Sequence, residues 1–149
     1  MHGKAFEVVS LLMKRLGDEG FSSRTLGKLR LLKATNDGRI TIGIPVEVQH
    51  LNLVKGLHGG VTASIVDVAG SLAIACKTQS LHTGVSTDIS VSYLSGGKLG
   101  DELRIEAECP KAGRTLAFTQ VRIFTGDKLL ATGSHTKFIA QPSKPSSSE

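Results

Sequence analysis

His58-Gly-Gly-Val-Thr-Ala-Ser-Ile-Val-Asp-Val-Ala-Gly-Ser-Leu-Ala-Ile-Ala-Cys76 is apolar on nearly every side, with small residues between its Val, Ile and Leu. A helix that is apolar all round is buried, so Gly60 to Cys76 is expected to be a helix inside the protein. A membrane span needs roughly 20 mostly apolar residues. This stretch is shorter and carries Thr62, Ser64, Asp67 and Ser71, so stable membrane insertion is not expected.

Working outward, Ala5 to Leu16 places Phe6, Val9, Leu12, Met13 and Leu16 on one stripe of a second, amphipathic helix that ends at Gly17 and Gly20. Leu26 to Thr35 and Arg39 to Val46 read as strands joined by Asn36-Asp37-Gly38, whose residues suit a hairpin turn. After the apolar helix come four alternating runs, Val85 to Leu94, Glu102 to Cys109, Thr115 to Phe124 and Leu129 to Ile139. Turn signals separate them at Gly96-Gly97, at Pro110 to Gly113 and at Gly126-Asp127. Their period of two predicts antiparallel strands with one face covered, and the short connections predict a meander. The expected organisation is an N-terminal helix and linker over 1–25, an α+β domain over 26–140, and a polar, disordered tail over 141–149. The α+β domain is a curved antiparallel sheet wrapped around one long buried helix. Such a sheet has an exposed edge strand that a second copy can pair with, so a homodimer at least is expected.

The chain has 149 residues, 40% hydrophobic and 21% charged, which suits one globular domain. Its net charge of +5 fits an anionic ligand, but the basic residues are dispersed and aromatics are only 4%, so no nucleic-acid partner is expected. Cys76 and Cys109 lie in no Cys-x-x-Cys or Cys/His cluster, which disfavours a disulfide scaffold or a zinc site. The N-terminus shows neither a basic-then-apolar leader nor an Arg-rich, acid-poor transit pattern, and an intracellular protein is the expectation.

Asp67 is the only ionisable residue within the apolar helix. A carboxylate there must be hydrogen-bonded or shifted in pKa. It is either a structural acid satisfied by the sheet or a general base or nucleophile at a semi-buried site. His58-Gly59-Gly60 opens the same helix, where the first N–H groups have no intrahelical acceptor. The glycines either hold an oxyanion or merely permit a tight loop with His58 as a cap. Eight residues of helix separate Gly59 from Asp67 by roughly 12 Å. A site using both therefore needs Asp67 from a neighbouring subunit. A carboxylate with backbone donors suits thioester hydrolysis, because the leaving thiol has a pKa near ~8.5. No Gly-x-Ser-x-Gly elbow or phosphate-binding loop is present.

Asn52-Leu-Val-Lys-Gly-Leu-His58-Gly-Gly-Val-Thr-Ala-Ser-Ile-Val-Asp67, Gly84-Val-Ser-Thr-Asp-Ile-Ser-Val-Ser-Tyr93-Leu, Lys98-Leu-Gly-Asp101 and Gly113-Arg-Thr-Leu-Ala-Phe-Thr119 closely resemble the PaaI-type hot-dog acyl-CoA thioesterases, most of all their animal branch. The resemblance runs from about Leu26 to Ile139. It implies a hot-dog fold in which the Gly59 N–H and Asn52 polarise the thioester carbonyl, with His58 beside them. Asp67 of the partner subunit would then align or activate water, with Ser86 as its second hydrogen-bonding partner. Tyr93, Lys98, Lys111, Arg114 and Lys137 are the matching coenzyme A contacts. Animal members of this branch carry a second His where this chain has Phe138, so one nucleotide contact differs.

The implied protein is a dimer or dimer-of-dimers homotetramer that hydrolyses fatty (medium- or long-chain) or aryl acyl-CoA to free acid and coenzyme A. It needs no metal or redox cofactor, and it is cytoplasmic or, as for some animal members, mitochondrial. Two other classes stay open on sequence: a non-catalytic acyl-thioester binder, and a structural partner protein whose apolar helix serves only an interface.

Overall fold

The computed structural model describes residues 3–141, so His2 and, beyond Gln141, the expected disordered tail lie outside the described residues. Helix α1 (Lys4–Asp18) is followed by a short α2 (Gly20–Leu26), then β1 (Arg30–Thr35), β2 (Arg39–Pro45) and a 3-10 turn at Val48–His50. The long helix α3 (Gly59–Thr78) leads to β3 (Val85–Tyr93), β4 (Glu102–Ala112), β5 (Leu116–Thr125) and β6 (Lys128–Phe138). The six strands form one antiparallel sheet in the order β1-β2-β4-β5-β6-β3. This is the expected hot-dog architecture, with α3 packed along the sheet.

The core forms where α3 meets the inward faces of the strands. Ile65, Leu72 and Ile74 of the helix and Ile42, Ile44, Leu103, Ile105 and Ile123 of the sheet are fully buried. Helix α3 reaches 20 residues, longer than expected, and its mean hydropathy of 1.6 would suit a membrane span. Two-thirds (67%) of its 18-residue apolar window is nevertheless buried inside the fold. Helix α1 buries Ala5 and Val9 against α3 and β1, with Leu12, Met13 and Leu16 packed beside them.

Four expectations are corrected. Residues 26–29 are not strand: α2 occupies Gly20–Leu26, because Leu26 is needed in the core, and β1 begins only at Arg30. The turn signal at Pro110 does not end β4. A register shift between Glu108 and Lys111 absorbs the proline, and the strand runs on to Ala112. The last four strands are not a simple meander, since β3 lies at the sheet edge against β6. Strand β2 already occupies the free side of β4, pairing Ile42 with Ile105, so β6 offers the open edge. As an edge strand β3 is also exposed at almost every residue, without the covered face that its alternation predicts.

The helix sits unusually close to β6. A Cβ on Gly133 would come 2.7 Å from both Val66 γ-methyls, and one on Gly70 would meet Thr119 Oγ1 at 2.7 Å and His135 Nδ1 at 2.8 Å. Glycine at these two points is what lets helix and sheet touch. Gly133→Ala should therefore destabilise the protein by about 1–3 kcal/mol in urea unfolding. Adding Val66→Ala should return part of that loss; additive losses would show that the two positions do not share this contact.

Candidate active site

His58 is the N-cap of α3, and its Nδ1 accepts the Gly60 N–H at 2.8 Å. The Val61 and Thr62 N–H groups donate to the His58 carbonyl at 3.0 and 3.1 Å. Of the first four helical N–H groups, that of Gly59 is left without an acceptor among the described residues. The capping role of His58 is thus realised, and it leaves the Gly59 N–H as the open donor at the positive end of the helix. A Cβ on Gly59 would make only an ordinary 3.5 Å contact with the Tyr93 ring, so the fold itself does not require glycine there.

Asn52 organises the adjoining loop. Its Oδ1 accepts from the Val54 N–H at 3.1 Å and the Gly56 N–H at 2.9 Å, and its own N–H donates to the Gly56 carbonyl at 2.8 Å. These bonds fix the amide orientation and leave Nδ2 without a hydrogen-bond acceptor among the described residues. His50, buried under this loop, accepts the Glu47 N–H at Nδ1, and its carbonyl accepts the His58 N–H at 2.8 Å.

Asp67 lies on the stripe of α3 that the sheet leaves open, with its side chain 48% exposed. Its Oδ1 is 3.6 Å from Nε2 of His135, a fully buried residue of β6. Ser86, expected to hydrogen-bond the attacking water together with Asp67, is held by a different residue of the same group. Its hydroxyl meets His135 Nε2 at 2.8 Å, because the β3–β6 pairing aims it at the imidazole. Ser86 therefore reaches Asp67 through His135, a residue to which sequence reasoning gave no role. Thr119 Oγ1 donates to the His135 carbonyl at 2.7 Å, while His135 Nδ1 is buried without a hydrogen-bond partner among the described residues. Burial holds the imidazole below the ordinary histidine pKa; the Asp67 carboxylate opposes that shift and Lys137 adds to it.

Lys137, expected as a coenzyme A contact, is 6% exposed in the single chain, and its ammonium donates to Ser71 Oγ at 2.8 Å and Thr83 Oγ1 at 3.4 Å. Burial pushes its pKa down, and Asp67 pulls the other way. The signal for both residues was present in β6, where Ala131, Gly133, His135 and Lys137 occupy successive inward positions. A His and a Lys on the covered face of a strand mark a polar site.

The other expected cations are exposed but divided. Lys98 pairs by a backbone bridge with Gly56 of the Asn52 loop, and the Tyr93 hydroxyl donates to the Gly59 carbonyl at 2.9 Å. Lys111 and Arg114 lie at the β4–β5 turn, beyond the opposite end of β3. Nine residues of strand hold the two ends of β3 about 27 Å apart. A cavity of about 720 Å³ lies on the outer sheet face, lined by Arg39, Glu106, Glu108 and Arg122 among others; it contains none of these site residues. Among the described residues no cluster of three or more His, Cys, Asp or Glu side chains is arranged to hold a metal.

Because the native His135 ring binds a proton less readily than the unfolded chain does, its contribution to stability is intact above pH ~6.5. That contribution is lost as pH falls through the depressed native value. Urea unfolding at pH 7.5 and pH 5.5 should show a larger acid-side loss for the wild type than for His135→Gln. Equal losses would remove His135 as the source.

The sequence pattern of the thioesterase superfamily matches residues 55–132. Human acyl-coenzyme A thioesterase 13 is 40% identical over 136 residues, which cover 89% of this chain and 92% of that protein. The crystal structure of zebrafish thioesterase superfamily member 2 superposes with a TM-score of 0.81 at 35% identity, covering 89% of this chain and 96% of that one. A thioesterase protein from Streptococcus pneumoniae, crystallised with coenzyme A, superposes with a TM-score of 0.69 at 28% identity, covering 78% of this chain and 92% of that one. This chain belongs to the thioesterase superfamily and is a thioester hydrolase with the hot-dog fold.

Proposed function

We propose that the chain hydrolyses acyl-coenzyme A thioesters of fatty or aryl acids, in pockets built by two copies of itself. The observation that carries this reading is the pairing of one open helix-start donor, the Gly59 N–H, with a half-exposed carboxylate, Asp67, on the same apolar helix. Eight residues apart, they are separated by roughly 12 Å and cannot meet on one carbonyl within one chain. Antiparallel pairing of two β3 edges resolves this. It sets the Tyr93 end of one strand, beside Gly59, against the Ser86 end of the other, beside Asp67 and His135. The same alignment brings Lys98 of one copy toward Lys111 and Arg114 of the other, forming a basic rim for the coenzyme A phosphates.

In the reaction so arranged, Asp67 takes a proton from water as the water oxygen bonds to the thioester carbon. The carbonyl oxygen becomes an oxyanion held by the Gly59 N–H and Asn52 Nδ2. Collapse of this intermediate breaks the C–S bond and releases the thiolate, which is a good leaving group at neutral pH. His135, neutral at pH 7, orients Ser86 and the inner side of Asp67. The acyl chain runs between the subunits past Val61. The coenzyme A bound by the pneumococcal relative supports the substrate class.

Free-thiol release from short, long and aromatic acyl-CoAs tests the reading. The wild type should turn over at least one class, and Asp67→Asn should lose about 10²–10⁴-fold in kcat. Binding without thiol release would instead make the protein an acyl-thioester binder. Gly59→Pro is a sharp probe of the oxyanion donor, since proline is favoured at the first helical position and His58, at φ −65° and ψ 132°, already has a backbone that tolerates a following proline. It should fold normally and lose about 10²–10³-fold in kcat; full activity would exclude the Gly59 N–H from the chemistry. Single-turnover hydrolysis in labelled water should leave the Asp67 carboxylate unlabelled; label in that carboxylate would mean direct attack through a mixed anhydride.

A further inference from the structure

We infer that Lys137 is a positioning residue of the thioesterase site: its buried ammonium, tied through Ser71 to the backbone of Asp67, holds that turn of α3 and supplies the fixed positive charge facing the Asp67–His135–Ser86 group. The inference rests on the function proposed above. Its foundation is a chain of hydrogen bonds running from strand to helix. Lys137 Nζ donates to Ser71 Oγ at 2.8 Å, and Ser71 Oγ donates to the Asp67 carbonyl at 3.1 Å. A second bond to Thr83 Oγ1, at 3.4 Å, anchors the ammonium to the segment that leads into β3 and Ser86.

Lys137 is 6% exposed, and no carboxylate lies within 4.0 Å of it among the described residues. Burying an ammonium against two neutral hydroxyls is costly, and the fold alone would be served as well by an apolar side chain at this inward position. What distinguishes the site is the nearby Asp67 carboxylate, whose field favours the charged lysine. The tie through Ser71 sets this cation one helical turn from the carboxylate proposed as the general base.

The charged and titratable groups acting on His135 come from each element around it. Asp67 faces it from α3, Asp88 acts from β3 and Lys137 lies two residues along β6, while β5 contributes the neutral Thr119. Lys137 is the only cation in this set. Burial is the main cause that disfavours protonation of His135, and Lys137 adds to it against the pull of Asp67.

The test compares Lys137→Met, Lys137→Arg and Ser71→Ala with the wild type by thiol-release kinetics across pH, and by NMR titration of the His135 ring. Lys137→Met should lower kcat about 10–100-fold with KM within about twofold, and should move the acid limb of kcat/KM to higher pH. Lys137→Arg should recover part of the loss. Ser71→Ala keeps the charge but cuts the tie to Asp67, so it should lower kcat without moving the limb. The His135 midpoint should rise in Lys137→Met, a readout that needs no activity. A wild type inactive on every thioester would overturn the proposed function while the titration still judges Lys137. An unchanged His135 midpoint would overturn the inference, as would a loss confined to KM, the mark of a phosphate contact. If Lys137→Met does not fold, Lys137→Gln carries the same charge comparison, and an unchanged kcat in Ser71→Ala would overturn the positioning tie.

Discussion

The contact on which the rest depends is the seating of α3 against β6, Val66 on Gly133 and Gly70 on His135, at distances that only glycine permits. It brings the single acid of an otherwise apolar helix to 3.6 Å from a fully buried imidazole, and sets a buried lysine one helical turn away. None of these polar groups would be stable there alone. A sealed imidazole nitrogen and a desolvated ammonium each cost free energy, which the carboxylate and the three surrounding hydroxyls offset. The helix that forms the core is thereby also the element that orients the chemistry.

The same helix separates two functions along its length. Its first turn is capped from within by His58, which occupies the Gly60, Val61 and Thr62 donors and leaves one N–H directed outward. Its third turn carries Asp67 on the open stripe. A rigid helix cannot fold back to join the two, and the exposed β3 edge beside it is where the proposed second copy would pair.

Much of this was legible in the sequence because the signals were local and periodic. The unbroken apolar run around Asp67 announced a buried helix, the Asn36-Asp37-Gly38 turn a hairpin, and the alternation in β4, β5 and β6 their inward faces. What failed depended on tertiary competition. Leu26 reads equally as strand or helix until the core claims it, and β3 reads as a meander strand until β2 is seen to occupy the side of β4 it would need. The site divided in the same way. Gly59 and Asp67 stood out by their neighbours in sequence, whereas the partnership of Ser86 with His135 and the burial of Lys137 depend on which strand lies beside β6.

The central claim, that each pocket joins the helix start of one chain to the acid of another, is tested most directly by hybrid oligomers. Differently tagged Asp67→Asn and Gly59→Pro chains, each inactive alone, are co-expressed and assayed together. If pockets are shared, random pairing leaves about one pocket in four intact, and the mixture should regain about a quarter of wild-type thiol release. A mixture that forms hybrid oligomers yet remains as inactive as its parents would show that both groups must come from a single chain, contradicting the account.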